Sequence, residues 1–265
     1  MSGWRRWIGG GRACAALLAA AVVGGGSAPV GQPDGALVVR TVRFGGATYL
    51  VAEADMRRVK LRMLHRGGAI TSYGAAEAAL RARGERMLLA TNGGLFHGGL
   101  PIGLHYEDGA RVTPLDLDTR PPPGRGGGNY YSLPNAVLFQ DRAGRVAIRE
   151  STRMRGLTGS VRDGLQSGPA LLLDGDVHRI ARSPNVGVPH DRRAAACVLG
   201  GETLVIVFAR GRTTFPQLAR FRREELRCRD ALFLDANVPG IYLPGRGVNI
   251  PPIDFAGILA LTVPA

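Results

Sequence analysis

Apolar and polar residues alternate along the first half of the chain in runs short enough to be strands. "ALVVRTVRF" and "ATYLVAEA" are joined by Gly45-Gly46, a pair suited to a hairpin turn. In "RVKLRML" Val59, Leu61 and Met63 share one face and Lys60, Arg62 and Leu64 the other, the pattern of a half-buried sheet. The period then changes. Ser72 is placed to cap a helix through "SYGAAEAALRARG", with Ala76, Ala79 and Leu80 on one face and Gly84 at the stop. Further on come the strand "RMLLATN", the hairpin "NAVLFQDRAGRVAI", the segment "GLQSGPALLLDGDVH" and a second hairpin, "RRAAACVLGGETLVIVFARG", turning at Gly200-Gly201. Thr214 opens a second helix through "FPQLARFRREELR", with Pro216 tolerated in its first turn. The chain closes on "ALFLDAN" and "FAGILALTVP". Many strands, several hairpins and two or three helices predict an α+β fold of mixed β-sheets with a few packed helices. Helices do not alternate with strands, which argues against a doubly wound parallel sheet.

One strand ends oddly. "ALFL" shows no polar alternation, so it reads as covered on both faces, yet it runs directly into Asp235. A carboxylate emerging at such a tip is placed either for chemistry or for capping the turn through Asn237 and Pro239.

Composition narrows the class. A chain of 265 residues that is 45% hydrophobic can bury a substantial core. The net charge is +13, and of the 34 basic residues one alone, Lys60, is lysine. The arginines are scattered, with no basic tract, stacking aromatics or reading motif, so nucleic acid is not an expected partner. Guanidinium forks suit phosphates and other anions instead. At the N-terminus, "WRRW" precedes an apolar run from Ala13 to Val23 and then small residues. Residues 1–28 thus read as a signal peptide for export to the periplasm or outside the cell, leaving no stable membrane span after cleavage, or else as an uncleaved anchor. The domain proper is placed at 37–265, and the "TRPPPGRGGG" stretch within it reads as a surface loop. Cys197 and Cys228 are compatible with one disulfide or with two buried thiols. The histidines show no metal spacing, and no cofactor is expected; oxygen-ligated ions such as calcium leave no spacing signature to read. The oligomeric state is not legible.

Three segments repeat one pattern, an apolar strand ending in small and amide residues: "ATNGGLFH", "QSGP" and "DAN". Glycine pairs admit close backbone approach and amides both donate and accept, which suits sugar hydroxyls; tight turns use the same residues. Together and in order, "LLATNGGLFHGGLPIGLHYEDG", "NAVLF", "LQSGPALLLDG", "NVGVPHD" and "LRCRDALFLDANVPGIYLP" resemble the phosphodiester glycosidase family over most of residues 37–265. The resemblance implies hydrolysis of the bond between a sugar anomeric carbon and a phosphodiester, with a carbohydrate phosphodiester or anionic glycan as partner. It makes Asp235 the candidate catalytic carboxylate, with Glu107 second. Asn92, Gly93, Gly94, His97, Gln166 and Ser167 become candidate sugar contacts, and Arg182, Asn185 and Asn237 further substrate contacts. The chain departs from the family pattern after Asp235, where Ala236-Asn237-Val238-Pro239-Gly240 replaces the usual hydroxyl pair, and at Ser183-Pro184-Asn185, where relatives place Arg-Asn. Those departures leave open a family member that binds sugar phosphates or anionic polysaccharide without cleaving them.

Overall fold

The strand patterns assemble into three principal sheets. The structure is a computed structural model describing residues 30–31, 35–67, 69–124, 129–182, 189–236 and 238–265. The N-terminal segment, residues 125–128 of the Pro/Gly loop, Asn185 and Asn237 lie outside the described residues. The largest sheet has eight strands in the order Val30–Gly31, Leu37–Phe44, Ala47–Asp55, Thr203–Thr213, His190–Leu199, Asp230–Ala236, Ala170–Leu173, Asp176–Val177. A second sheet runs Val146–Glu150, Ala136–Asp141, Val161–Ser167, His105–Glu107, Ala110–Thr113. The third runs Val248–Ile250, Ile241–Leu243, Glu85–Asn92, Gly257–Pro264, Lys60–His65.

One hydrophobic core is shared by all three. The inner face of the large sheet contributes Leu50, Ala194, Ile206, Leu232 and Leu234, which pack with Leu138 and Leu165 of the second sheet and with Leu89, Leu259 and Leu261 of the third. Its outer face carries Tyr49, Val207 and Phe233 and is covered by helix α2 (Phe215–Glu224). Strand Asp230–Ala236 is therefore buried on both sides, as its unbroken apolar run predicts.

Both helices start where their caps say. Ser72 Oγ accepts from the Ala75 N–H ahead of α1 (Tyr73–Arg81), and Thr214 and Gln217 form a reciprocal capping box ahead of α2. Cys197 and Cys228 form a disulfide that ties a central strand to the end of α2.

The expectation of mixed sheets needs correcting: every ladder among the described residues is antiparallel. The reason lies in how the helical crossovers are filled. Helix α1 joins strands Lys60–His65 and Glu85–Asn92, which run the same way but are separated by the antiparallel strand Gly257–Pro264. Helix α2 joins Thr203–Thr213 and Asp230–Ala236, which are separated in the same manner by His190–Leu199. Each crossover leaves a gap one strand wide, so parallel strands exist without ever pairing.

Candidate active site

Asp235 stands where the large sheet meets the third, and a β-bulge aims it there. Ala196 pairs with Leu232 on the inner face and Ala195 with Phe233 on the outer, but the register then slips and Ala194 pairs with Asp235 rather than with Leu234. Ala194 belongs to the inner core. The extra residue turns the carboxylate inward, where regular alternation would have sent it toward α2.

The slip is braced by the "QSGP" segment. Ser167 Oγ donates to the Leu234 carbonyl at the bulge (3.3 Å), and the Pro169 carbonyl accepts from the Phe233 N–H (3.2 Å). A Cβ on Gly168 would lie 2.7 Å from the Tyr130 carbonyl oxygen, so no side chain fits there. Gln166, expected at the sugar, is buried beneath the site instead. Its Oε1 accepts from the N–H groups of Leu104 and Asp116, and its Nε2 donates to the Asp116 carbonyl and to Ser151 Oγ.

Asp235 is 2% exposed. Its Oδ2 accepts from Asn92 Nδ2 at 2.8 Å and its Oδ1 from the Ala236 N–H at 2.7 Å. Burial dominates these hydrogen bonds, and the nearby Asp254 charge adds to it, so the carboxyl is pushed up to about 7. Asn92, fully buried, spends its whole amide inside the protein. Nδ2 donates also to the Asp254 carbonyl, while Oδ1 accepts from Tyr73 Oη (2.6 Å) and the Gly240 N–H (3.1 Å). An asparagine offers two donors and two acceptor sites, so the Asn92 amide is fully engaged within the protein, with one of its bonds held by Asp235. Burial also raises Tyr73, which keeps its proton and donates.

The glycines beside Asn92 serve packing. The Gly93 N–H donates to the Gly257 carbonyl at 2.7 Å, and a Cβ on Gly93 would sit 2.8 Å from Met63 Cε. Gly94 rests over Leu165 and Gln166.

Glu107 belongs to a different cluster. Its Oε1 accepts from His65 Nδ1 and His105 Nε2, both at 2.9 Å. Burial pushes its carboxyl up, but the two histidines outweigh burial and hold it below the usual range. Buried His105 packs beside Gly257, the residue that receives the Gly93 N–H, so the cluster adjoins the Asn92 strand end without bonding to Asp235. Exposed His97 lies further out on the short hairpin Phe96–His97/Leu100–Pro101. Arg182 is exposed, its Nε donating to the Val177 carbonyl (2.7 Å). Among the described residues no group of three His, Cys, Asp or Glu is arranged to hold a metal ion.

Sequence reasoning missed Tyr73, Asp254, Arg192 and the two histidines, His65 and His105, that flank Glu107. Strand alternation places Arg192 on the face of Ala194, hence of Asp235, and its Nη1 donates to the Pro251 carbonyl (3.2 Å). Arg193 points the other way, buried over the Phe215 ring, where burial lowers it to about 10.

Comparison with known proteins gives concordant results. The sequence profile of a family described as NAGPA, phosphodiester glycosidase, matches residues 85–235. The chain is 25% identical over 188 residues to the uncharacterized protein YigE of Escherichia coli K12, covering 69% of this chain and 68% of that one. Its fold is similar to the catalytic domain of zebrafish N-acetylglucosamine-1-phosphodiester alpha-N-acetylglucosaminidase, auto-inhibited by its pro-peptide (TM-score 0.57, 13% identity, 84% and 81% of the two chains). It is also similar in fold to a hypothetical protein from Synechocystis (TM-score 0.54, 12% identity, 86% and 62% coverage).

Proposed function

The chain belongs to the phosphodiester glycosidase family, and on that premise we propose that it hydrolyses a sugar 1-phosphodiester at the anomeric carbon, with Asp235 as the general base. The observation that carries the proposal is the buried Asp235–Asn92 pair, which joins two motif segments 143 residues apart. Asp235 takes a proton from water as its oxygen attacks the anomeric carbon. The bond from that carbon to the phosphate oxygen breaks, and the phosphate leaves as a monoester anion. Such an anion is stable without a proton, so one carboxylate suffices where an ordinary glycoside needs two. A carboxyl held near 7 is matched to exchanging a proton at neutral pH. Arg192, on the same face, neutralises the phosphate through its planar fork. Export is part of the same reading: the N-terminal segment has the composition of a signal peptide, and the Cys197–Cys228 disulfide suits an oxidising compartment.

The test is release of free sugar from an N-acetylglucosamine 1-phosphodiester by the protein, by Asp235→Asn and by Arg192→Ala. Asp235→Asn is expected to lose activity by a factor of about 100 or more at unchanged fold. Arg192→Ala is expected to fall mainly through a raised KM. Full activity in Asp235→Asn would remove Asp235 from the reaction. Saturable binding without turnover would favour the reading in which the chain binds its ligand and does not cleave it, to which the missing hydroxyl pair after Asp235 points.

A further inference from the structure

Beside the braced strand, the chain builds a cleft whose chemistry opposes that of the molecule as a whole. The hairpin Phe96–His97/Leu100–Pro101 forms one wall and the segment following Thr113 the other, around a volume of about 610 Å³. That size is ordinary for a site taking a small organic ligand. The protein carries a net charge of +13. Yet among the described residues lining this cleft there is no arginine or lysine, while Asp116 and Asp118 both line it. Its apolar surface comes from Leu100, which is 61% exposed, together with Pro101, Leu115 and Leu117.

The cleft is fastened to the Asp235 strand. Gln166 binds the main chain of Asp116 through both its N–H and its carbonyl, and the next residue, Ser167, holds the Leu234 carbonyl at the bulge. The wall carrying the two aspartates thus hangs from the segment that aims the carboxylate.

Three occupants can be weighed by charge and polarity. A phosphate or other anion would face two carboxylates, with His97 the one group among the described lining residues able to carry a positive charge against them. Asp116 already accepts from the Asp118 N–H and from Tyr131 Oη, but a lipid tail would cover the exposed Asp118 carboxylate without offering it a hydrogen bond, at a cost of several kcal/mol. A neutral saccharide meets both demands: its C–H faces cover Leu100 and Pro101, and its hydroxyls donate to the aspartates. We propose that this cleft is a saccharide subsite accepting an uncharged glycan portion of the substrate, leaving the phosphate to the Arg192 side. Its assignment to the substrate rests on the hydrolase reading above; its ability to bind a glycan does not.

Calorimetric titration with a neutral N-acetylglucosamine trisaccharide, and with the same trisaccharide sulfated, tests this on the intact protein, on Asp235→Asn and on the double variant Leu100→Ser/Asp118→Ala. Both substituted cleft positions are exposed, so the fold is expected to survive, and circular dichroism checks it. Wild type and Asp235→Asn are expected to bind the neutral sugar alike and in preference to the sulfated one, and the cleft variant at least tenfold more weakly. Equal binding by the folded cleft variant, or preference for the sulfated sugar, would overturn the subsite. Glycan binding that depends on the cleft without turnover of any phosphodiester would fail the hydrolase reading and leave the subsite standing.

Discussion

At Asp235, function and stability pull in opposite directions. An unfolded chain gives up an aspartate proton near pH 4, whereas the folded protein holds this one to about 7. The folded state therefore binds more protons in between, and stability falls as pH rises from about 4 to about 7, then levels. Asp235→Asn has no such proton to lose. Denaturant unfolding across that range is expected to show wild type losing on the order of 2–4 kcal/mol more than the variant. Parallel curves for the two would mean that the carboxyl is not held in its neutral form. The comparison with the variant matters because Glu107, held low by His65 and His105, contributes with the opposite sign in both proteins. Asp235 could be picked out in the sequence because an apolar run ends abruptly on an acid. The roles of Asn92 and Gln166 could not, because a buried amide is defined by what it meets, and the Gly240 N–H that Asn92 accepts lies 148 residues away. Arg192 was hidden for a related reason: choosing one guanidinium among so many requires knowing which face of which strand it shares.

Between residue and fold stands the bulged strand with its brace. A regular strand would deliver Asp235 to the α2 side; the slip opposite Ala194 and Ala195 delivers it to Asn92. Ser167 is the side chain that holds the Leu234 carbonyl there, which makes it a positioning residue. Ser167→Ala is expected to cost about 1 kcal/mol of stability, to lower kcat more than it changes KM, and to move the midpoint of the pH–rate profile, because a relaxed bulge alters the burial of Asp235. A profile with an unmoved midpoint would reduce Ser167 to a plain packing role. The long hairpins and both helices could be read directly, since Gly45-Gly46, Gly200-Gly201, Ser72 and Thr214 announce them locally. The strands His105–Glu107, Ile241–Leu243 and Val248–Ile250 are too short to show a period. The antiparallel fillers inside both helical crossovers were equally out of reach, because Gly257–Pro264 arrives from the far end of the chain.

Over the whole molecule, three sheets share one core, and the line where two of them meet carries the carboxylate. Arginine is abundant in the chain but absent from the described lining of the cleft, and the proposed sorting of a substrate's parts by polarity rests on that contrast. Arg192 donates to the Pro251 carbonyl, and Asp116 and Asp118 line the cleft. The claim on which the rest depends is that cleavage occurs between carbon and oxygen, on the sugar side of the phosphodiester. Hydrolysis of an N-acetylglucosamine 1-phosphodiester in heavy-oxygen water, with mass analysis of both products, tests this directly. Label in the anomeric hydroxyl of the released sugar and none in the phosphate monoester is the expected result. Label in the phosphate would mean attack at phosphorus and would contradict the account.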